Sequence, residues 1–62
     1  MPILKVSLWK GRTADQKREL ARELTEVMVR VGNAKPESTT ILFDEYDRSD
    51  WATGGTLASD HK

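Results

Sequence analysis

Hydrophobic and polar positions alternate along the first stretch of the chain. Leu4, Val6 and Leu8 fall on one face, and Ile3, Lys5, Ser7 and Trp9 on the other. This period of two predicts a strand, Ile3 to Trp9, whose uniformly apolar face meets a core. Pro2 stands at the strand's first position, where a missing backbone N–H costs nothing. Lys10-Gly11-Arg12 then reads as a turn, with Gly11 supplying the backbone freedom. After it the period becomes helical. Thr13 is an N-cap and Gln16, three residues on, completes a capping box. Leu20, Leu24, Val27, Met28 and Val31 form one apolar stripe flanked by Ala21, so a helix is predicted from Ala14 to about Val31. Its charged face carries Lys17, Arg18, Glu19, Arg22, Glu23, Glu26 and Arg30. Gly32 suits the C′ position and Pro36 prevents the helix from resuming.

Asn33 to Ser38 is a connector. Thr39 to Tyr46 is rich in β-branched and aromatic residues and reads as a second strand. Thr39, Ile41 and Phe43 share one face; Thr40, Leu42, Asp44 and Tyr46 share the other. Two strands joined through one helix make a βαβ unit, with parallel strands and a right-handed crossover. Both strands are edges, open to pairing with another chain. Asp47 to Asp50 is polar and turn-like. Trp51 to Ala58 holds too few apolar residues for a core of its own. Its Gly54-Gly55 pair indicates a tight hairpin or a close backbone approach. The segment reads as an arm that packs on a neighbouring subunit. Asp60 to Lys62 is expected to fray.

Length sharpens this picture. With 62 residues the chain is at most one domain, and a domain this small usually needs a staple. There is no Cys and a single His, His61, which excludes disulfides, thiol catalysis and His-based metal sites or triads. Oligomerisation is the staple that remains. Ten Lys and Arg balance ten Asp and Glu, so no basic patch points to nucleic acid. No apolar run approaches the ~20 residues of a membrane span, and no export signal is seen, so the expected location is the cytoplasm.

Two residues suggest chemistry. Pro2 directly follows Met1, and removal of that Met would leave a free secondary amine whose proton affinity its surroundings can tune. Arg12 precedes a helix N-terminus, whose exposed N–H groups and partial positive charge would help it hold a carboxylate. Trp9 is either interface packing or the wall of a pocket.

Three features stand together: Met-Pro-Ile at the start, Gly11-Arg12-Thr13 with Asp15-Gln16-Lys17 opening the helix, and Gly54-Gly55 followed by Leu57-Ala58-Ser59. In this pattern the chain resembles the 4-oxalocrotonate tautomerase family, over essentially its whole length. The resemblance implies an α+β fold: a β-α-β protomer with a short C-terminal hairpin and a four-stranded sheet in the dimer. Three dimers would form a hexamer, homomeric by expectation, heteromeric as the alternative. It also implies a cofactor-independent isomerase of aromatic-compound catabolism. Such an enzyme moves a proton within an enol or dienol 2-oxo acid, a small carboxylate substrate. Pro2 would be the base and Arg12 the group that lowers its pKa and binds substrate. Trp51 and Trp9 would be desolvating walls. The best-studied relatives carry a second arginine on the second strand; that register holds Thr40 here. Arg48, in the following loop, is the residue that could reach in. The departure leaves open a hydratase or dehalogenase acting on unsaturated three-carbon acids, using a carboxylate such as Asp44, Asp47 or Asp50. It also leaves open a non-catalytic subunit of a mixed oligomer.

Overall fold

The computed structural model describes residues 1–61. Strand β1 (Ile3–Trp9) leads to helix α1 (Ala14–Arg30), then a short 3-10 turn at Pro36–Ser38 and strand β2 (Thr40–Tyr46). A second 3-10 turn (Arg48–Asp50) precedes a two-residue hairpin, β3 (Ala52–Thr53) and β4 (Thr56–Leu57). A third (Ala58–Asp60) ends the chain. β1 and β2 pair in parallel, with Ile3 opposite Thr40 and Trp9 opposite Tyr46. This register sets Leu4, Val6 and Leu8 beside Ile41, Phe43 and Glu45 on one face, as the alternation predicts. Lys17 of α1 reaches that face, its Nζ 2.9 Å from Glu45 Oε1, and so marks it as the one the helix covers.

The helix starts as its sequence dictates. Thr13 Oγ1 accepts the Gln16 N–H at 3.1 Å, and Gln16 Oε1 accepts the Thr13 N–H at 2.9 Å. Its far end corrects a detail. Gly32 does not take the left-handed conformation; Asn33 does, at φ 58°. Glycine is required at 32 for space, because a Cβ there would lie 2.8 Å from the Met28 carbonyl oxygen. The apolar stripe is also shifted. Leu20, Leu24 and Met28 are half-buried, together with Ala21, Thr25 and Val29, whereas Val27 and Val31 stand exposed, Val31 at 69 %. Two strands about 4.8 Å apart make a floor narrower than a helix about 10 Å across. One flank of the stripe therefore overhangs it.

The described chain buries no residue completely. Its accessible surface is 4924 Å², against about 4,000 Å² for a compact monomer of this mass, an excess of about 900 Å². The radius of gyration is 14.6 Å, where a compact chain of this length would show about 11 Å. The helix-free face of the sheet leaves Ile3 62 % and Leu42 44 % exposed. Asp60 and His61 are not frayed: the last 3-10 turn is closed by the His61 N–H on the Ala58 carbonyl at 3.2 Å. Lys62 lies outside the described residues.

Candidate active site

The chemistry-bearing side chains gather where β1 and β2 end. Trp9 and Tyr46 are register partners on the helix-free face. Trp51 meets both edge to face, with centroids 5.9 Å from Trp9 and 5.8 Å from Tyr46. Such contacts match the positive edge of one ring to the negative face of another. The hairpin holds Trp51 in place: the Ala58 N–H donates to the Trp51 carbonyl at 2.7 Å. Gly54 and Gly55 turn it at φ 61° and 85°, the left-handed values a two-residue turn of this kind requires. Nothing lies within 4 Å of where their Cβ atoms would stand, so they serve the hairpin rather than a close approach.

Two arginines flank this aromatic corner. Arg12 Nη1 donates to the Trp9 carbonyl at 3.1 Å. On the other side the Arg48 guanidinium stacks over the Trp9 ring, 4.2 Å from its centroid. Each arginine lines its own cavity, and the two cavities share Trp9 and Trp51. The Arg12 cavity, about 290 Å³, is completed by Ser7 and Leu8. The Arg48 cavity, about 420 Å³, is completed by Thr53, Thr56, Ala58 and His61. Trp9 Nε1 is buried without a hydrogen-bond partner among the described residues.

Pro2 and Thr40 lie elsewhere. The Thr40 N–H donates to the Pro2 carbonyl at 3.0 Å, which joins the two at the start of the sheet. From Pro2 to Trp9 the strand advances seven residues, about 23 Å at ~3.3 Å each. The six residues singled out in the sequence therefore fall into two groups at opposite ends of one strand pair. Pro2 and Thr40 form one; Trp9, Arg12, Arg48 and Trp51 form the other. Within a single chain neither Arg12 nor either Trp is placed to act on the Pro2 nitrogen.

Among the described residues, neither cavity has a carboxylate in its wall. Asp44 pairs with Lys5 and Asp47 with Lys10, each at 3.4 Å. The Glu45 Oε1 near Lys17 is a charge contact without hydrogen-bond geometry. On the outer face of α1, Arg22 sits among Glu19, Glu23 and Glu26. Its pKa is raised, chiefly by the hydrogen bond to Glu19. That cluster is a solvated helix face, worth little to stability. Among the described residues no group of His, Cys, Asp and Glu is placed to hold a metal ion, and no helix is long and apolar enough to cross a membrane.

Sequence reasoning missed Tyr46, Thr53, Thr56 and His61. Tyr46 was within reach, since parallel pairing makes it the partner of Trp9. His61 carried no signal, because its position depends on how the tail folds back.

A βαβ unit closed by a hairpin, with an aromatic corner flanked by two arginines, defines a small α+β protein. Comparison with known proteins makes this specific. The family described as "Tautomerase enzyme" matches residues 2–61. A probable tautomerase of Streptococcus agalactiae serotype III is 37% identical over 57 residues, covering 92% of this chain and 95% of that protein. One of Listeria monocytogenes serotype 4b is 35% identical over 60 residues, covering 97% and 98%. A solved 4-oxalocrotonate tautomerase homologue is 42% identical with a TM-score of 0.89, covering 100% of this chain and 98% of its own. The chain belongs to the tautomerase family, among the relatives of 4-oxalocrotonate tautomerase, and is an isomerase-type enzyme.

Proposed function

We propose that the protein is a cofactor-independent tautomerase that moves a proton within an enol or dienol 2-oxo acid. Pro2, freed of Met1, acts as the base. Its secondary amine takes the proton from the enol hydroxyl, the electron pair shifts through the conjugated system, and the resulting ammonium returns a proton to carbon. No atom is gained or lost. Arg12 binds the carboxylate and steadies the negative charge that develops on the enol oxygen. Trp9 and Trp51 exclude water, which strengthens that attraction and disfavours the protonated amine.

The observation that carries this reading is the 23 Å separation together with the surplus surface. A chain that keeps Pro2 at one end of a strand and Arg12 at the other can unite them only across two copies. The excess of about 900 Å² is what one partner in a standard interface buries. The exposed Ile3, Leu42 and Val31 supply apolar surface for it. We therefore assign the active form to an oligomer of this chain, a homo-hexamer on the family resemblance. Thr40 borders Pro2 as a neutral hydroxyl.

The test is tautomerisation of phenylenolpyruvate or 2-hydroxymuconate by protein whose intact mass shows the loss of Met1. Pro2→Ala should lower kcat/KM by about 100-fold or more. An unchanged rate refutes the role of Pro2.

A further inference from the structure

From Lys10 to Gln16 every residue is exposed, and Lys17 is the first after Trp9 to be half-buried. The segment that carries Arg12 is therefore held by its ends rather than by packing. Within it Gly11 takes φ 130°, and nothing lies within 4 Å of where its Cβ would stand. Both ends are tied to consecutive residues of β2. The Lys10 N–H donates to the Tyr46 carbonyl at 2.9 Å, and Lys17 Nζ lies 2.9 Å from Glu45 Oε1. Among the described residues this is the only ion pair that joins α1 to the sheet. Its side chains are 33 % and 26 % exposed, whereas every other pair has a partner more than half exposed. Shielding from water and salt strengthens the attraction. The helix by itself gives no reason for Lys17, because a cation near its start meets the partial positive charge of the N-terminus.

We propose that the Lys17–Glu45 pair is a clamp that positions Arg12. Neither residue touches substrate. Glu45 stands opposite Leu8 in the sheet register, and Leu8 is a wall of the Arg12 cavity, so the pair anchors the helix start level with that cavity. The first turn carries the constraint back towards Arg12: the Lys17 N–H donates to the Thr13 carbonyl at 3.1 Å, and Thr13 follows Arg12 directly. With the clamp open, Gly11 becomes a hinge and the guanidinium loses its alignment with the carboxylate it binds. This inference rests on the role proposed for Arg12 and not on that of Pro2.

The test is a double-mutant cycle on phenylenolpyruvate turnover by assembled protein free of Met1. Lys17→Met should lower kcat/KM about tenfold or more, as misplacement of a binding group does. Lys17→Arg, which keeps the charge, should retain most of the parent activity, and the exchange of Lys17→Glu with Glu45→Lys should recover most of what Lys17→Met loses. In an Arg12→Ala background Lys17→Met should cost less than about twofold, because the two residues act as one unit. A second readout is independent of turnover: amide hydrogen exchange at Gly11 and Arg12 should quicken about tenfold in Lys17→Met, with the β1–β2 amides unchanged. If Arg12→Ala keeps the parent rate, the catalytic reading of Arg12 fails, and exchange alone decides whether the pair holds the segment. Three results overturn the proposal: unchanged exchange at Gly11 and Arg12, Lys17→Met as costly without Arg12 as with it, or a charge exchange no better than Lys17→Met. Sedimentation and circular dichroism check each variant, and if Lys17→Met does not assemble, Glu45→Gln, equal in shape but uncharged, carries the same measurements.

Discussion

If the active site joins Pro2 of one copy to Arg12 of another, two dead variants should rescue each other. Pro2→Ala exchanges the ring nitrogen for a primary amine on a freely turning chain end, a loss of about 10² in rate. Arg12→Ala removes the carboxylate and oxyanion contact, a loss of about 10² to 10³. Each alone is therefore at or below about 1% of the parent activity. The two chains are then unfolded together and refolded as a 1:1 mixture, so that copies assemble at random. A site needs an intact Pro2, supplied only by the Arg12→Ala chain, and an intact Arg12, supplied only by the Pro2→Ala chain. Each condition holds for half the copies, so about one site in four is whole. The refolded mixture should show roughly a quarter of the parent kcat at unchanged KM. The same chains refolded separately and then combined should show nothing above their sum. A refolded mixture no more active than that sum refutes the cross-chain site, provided sedimentation shows both variants assembled. The 23 Å of strand between the two residues would then have to be crossed by a refolding of β1, which the capped helix and the seven-residue register with β2 oppose.

Two further outcomes follow from the fold. Ile3→Glu puts a charge on the exposed apolar face of β1, so sedimentation should show smaller species with weakened helical circular dichroism; an unaltered assembly would mean that this face is not an interface. Gly32→Ala drives a methyl to 2.8 Å from the Met28 carbonyl oxygen and should cost about 1–3 kcal/mol, read as a lower denaturant midpoint. A midpoint at or above that of the parent would show that the helix end relaxes freely.

The βαβ order was legible because each of its signals is local. Alternation fixes a strand within seven residues, and a capping box fixes a helix start within four. The β1 range and the capping box stand as the sequence predicts them, and α1 ends one residue earlier. The family resemblance likewise rests on short motifs read in register. Four things needed the tertiary structure. The inward stripe of α1 depends on how wide a floor lies beneath it, so Val27 and Val31 could not be assigned from periodicity. The meeting of Trp51 with Trp9 and Tyr46 depends on where a glycine turn sends the tail, and so does the placing of His61 in a cavity wall. The stacking of Arg48 on Trp9 joins residues from two segments with no common pattern. The separation of Pro2 from Arg12 follows from strand length, but it acquires meaning only once both ends of the sheet are seen. Local spacing records which surface a segment will show; it does not record which other segment will arrive to cover it.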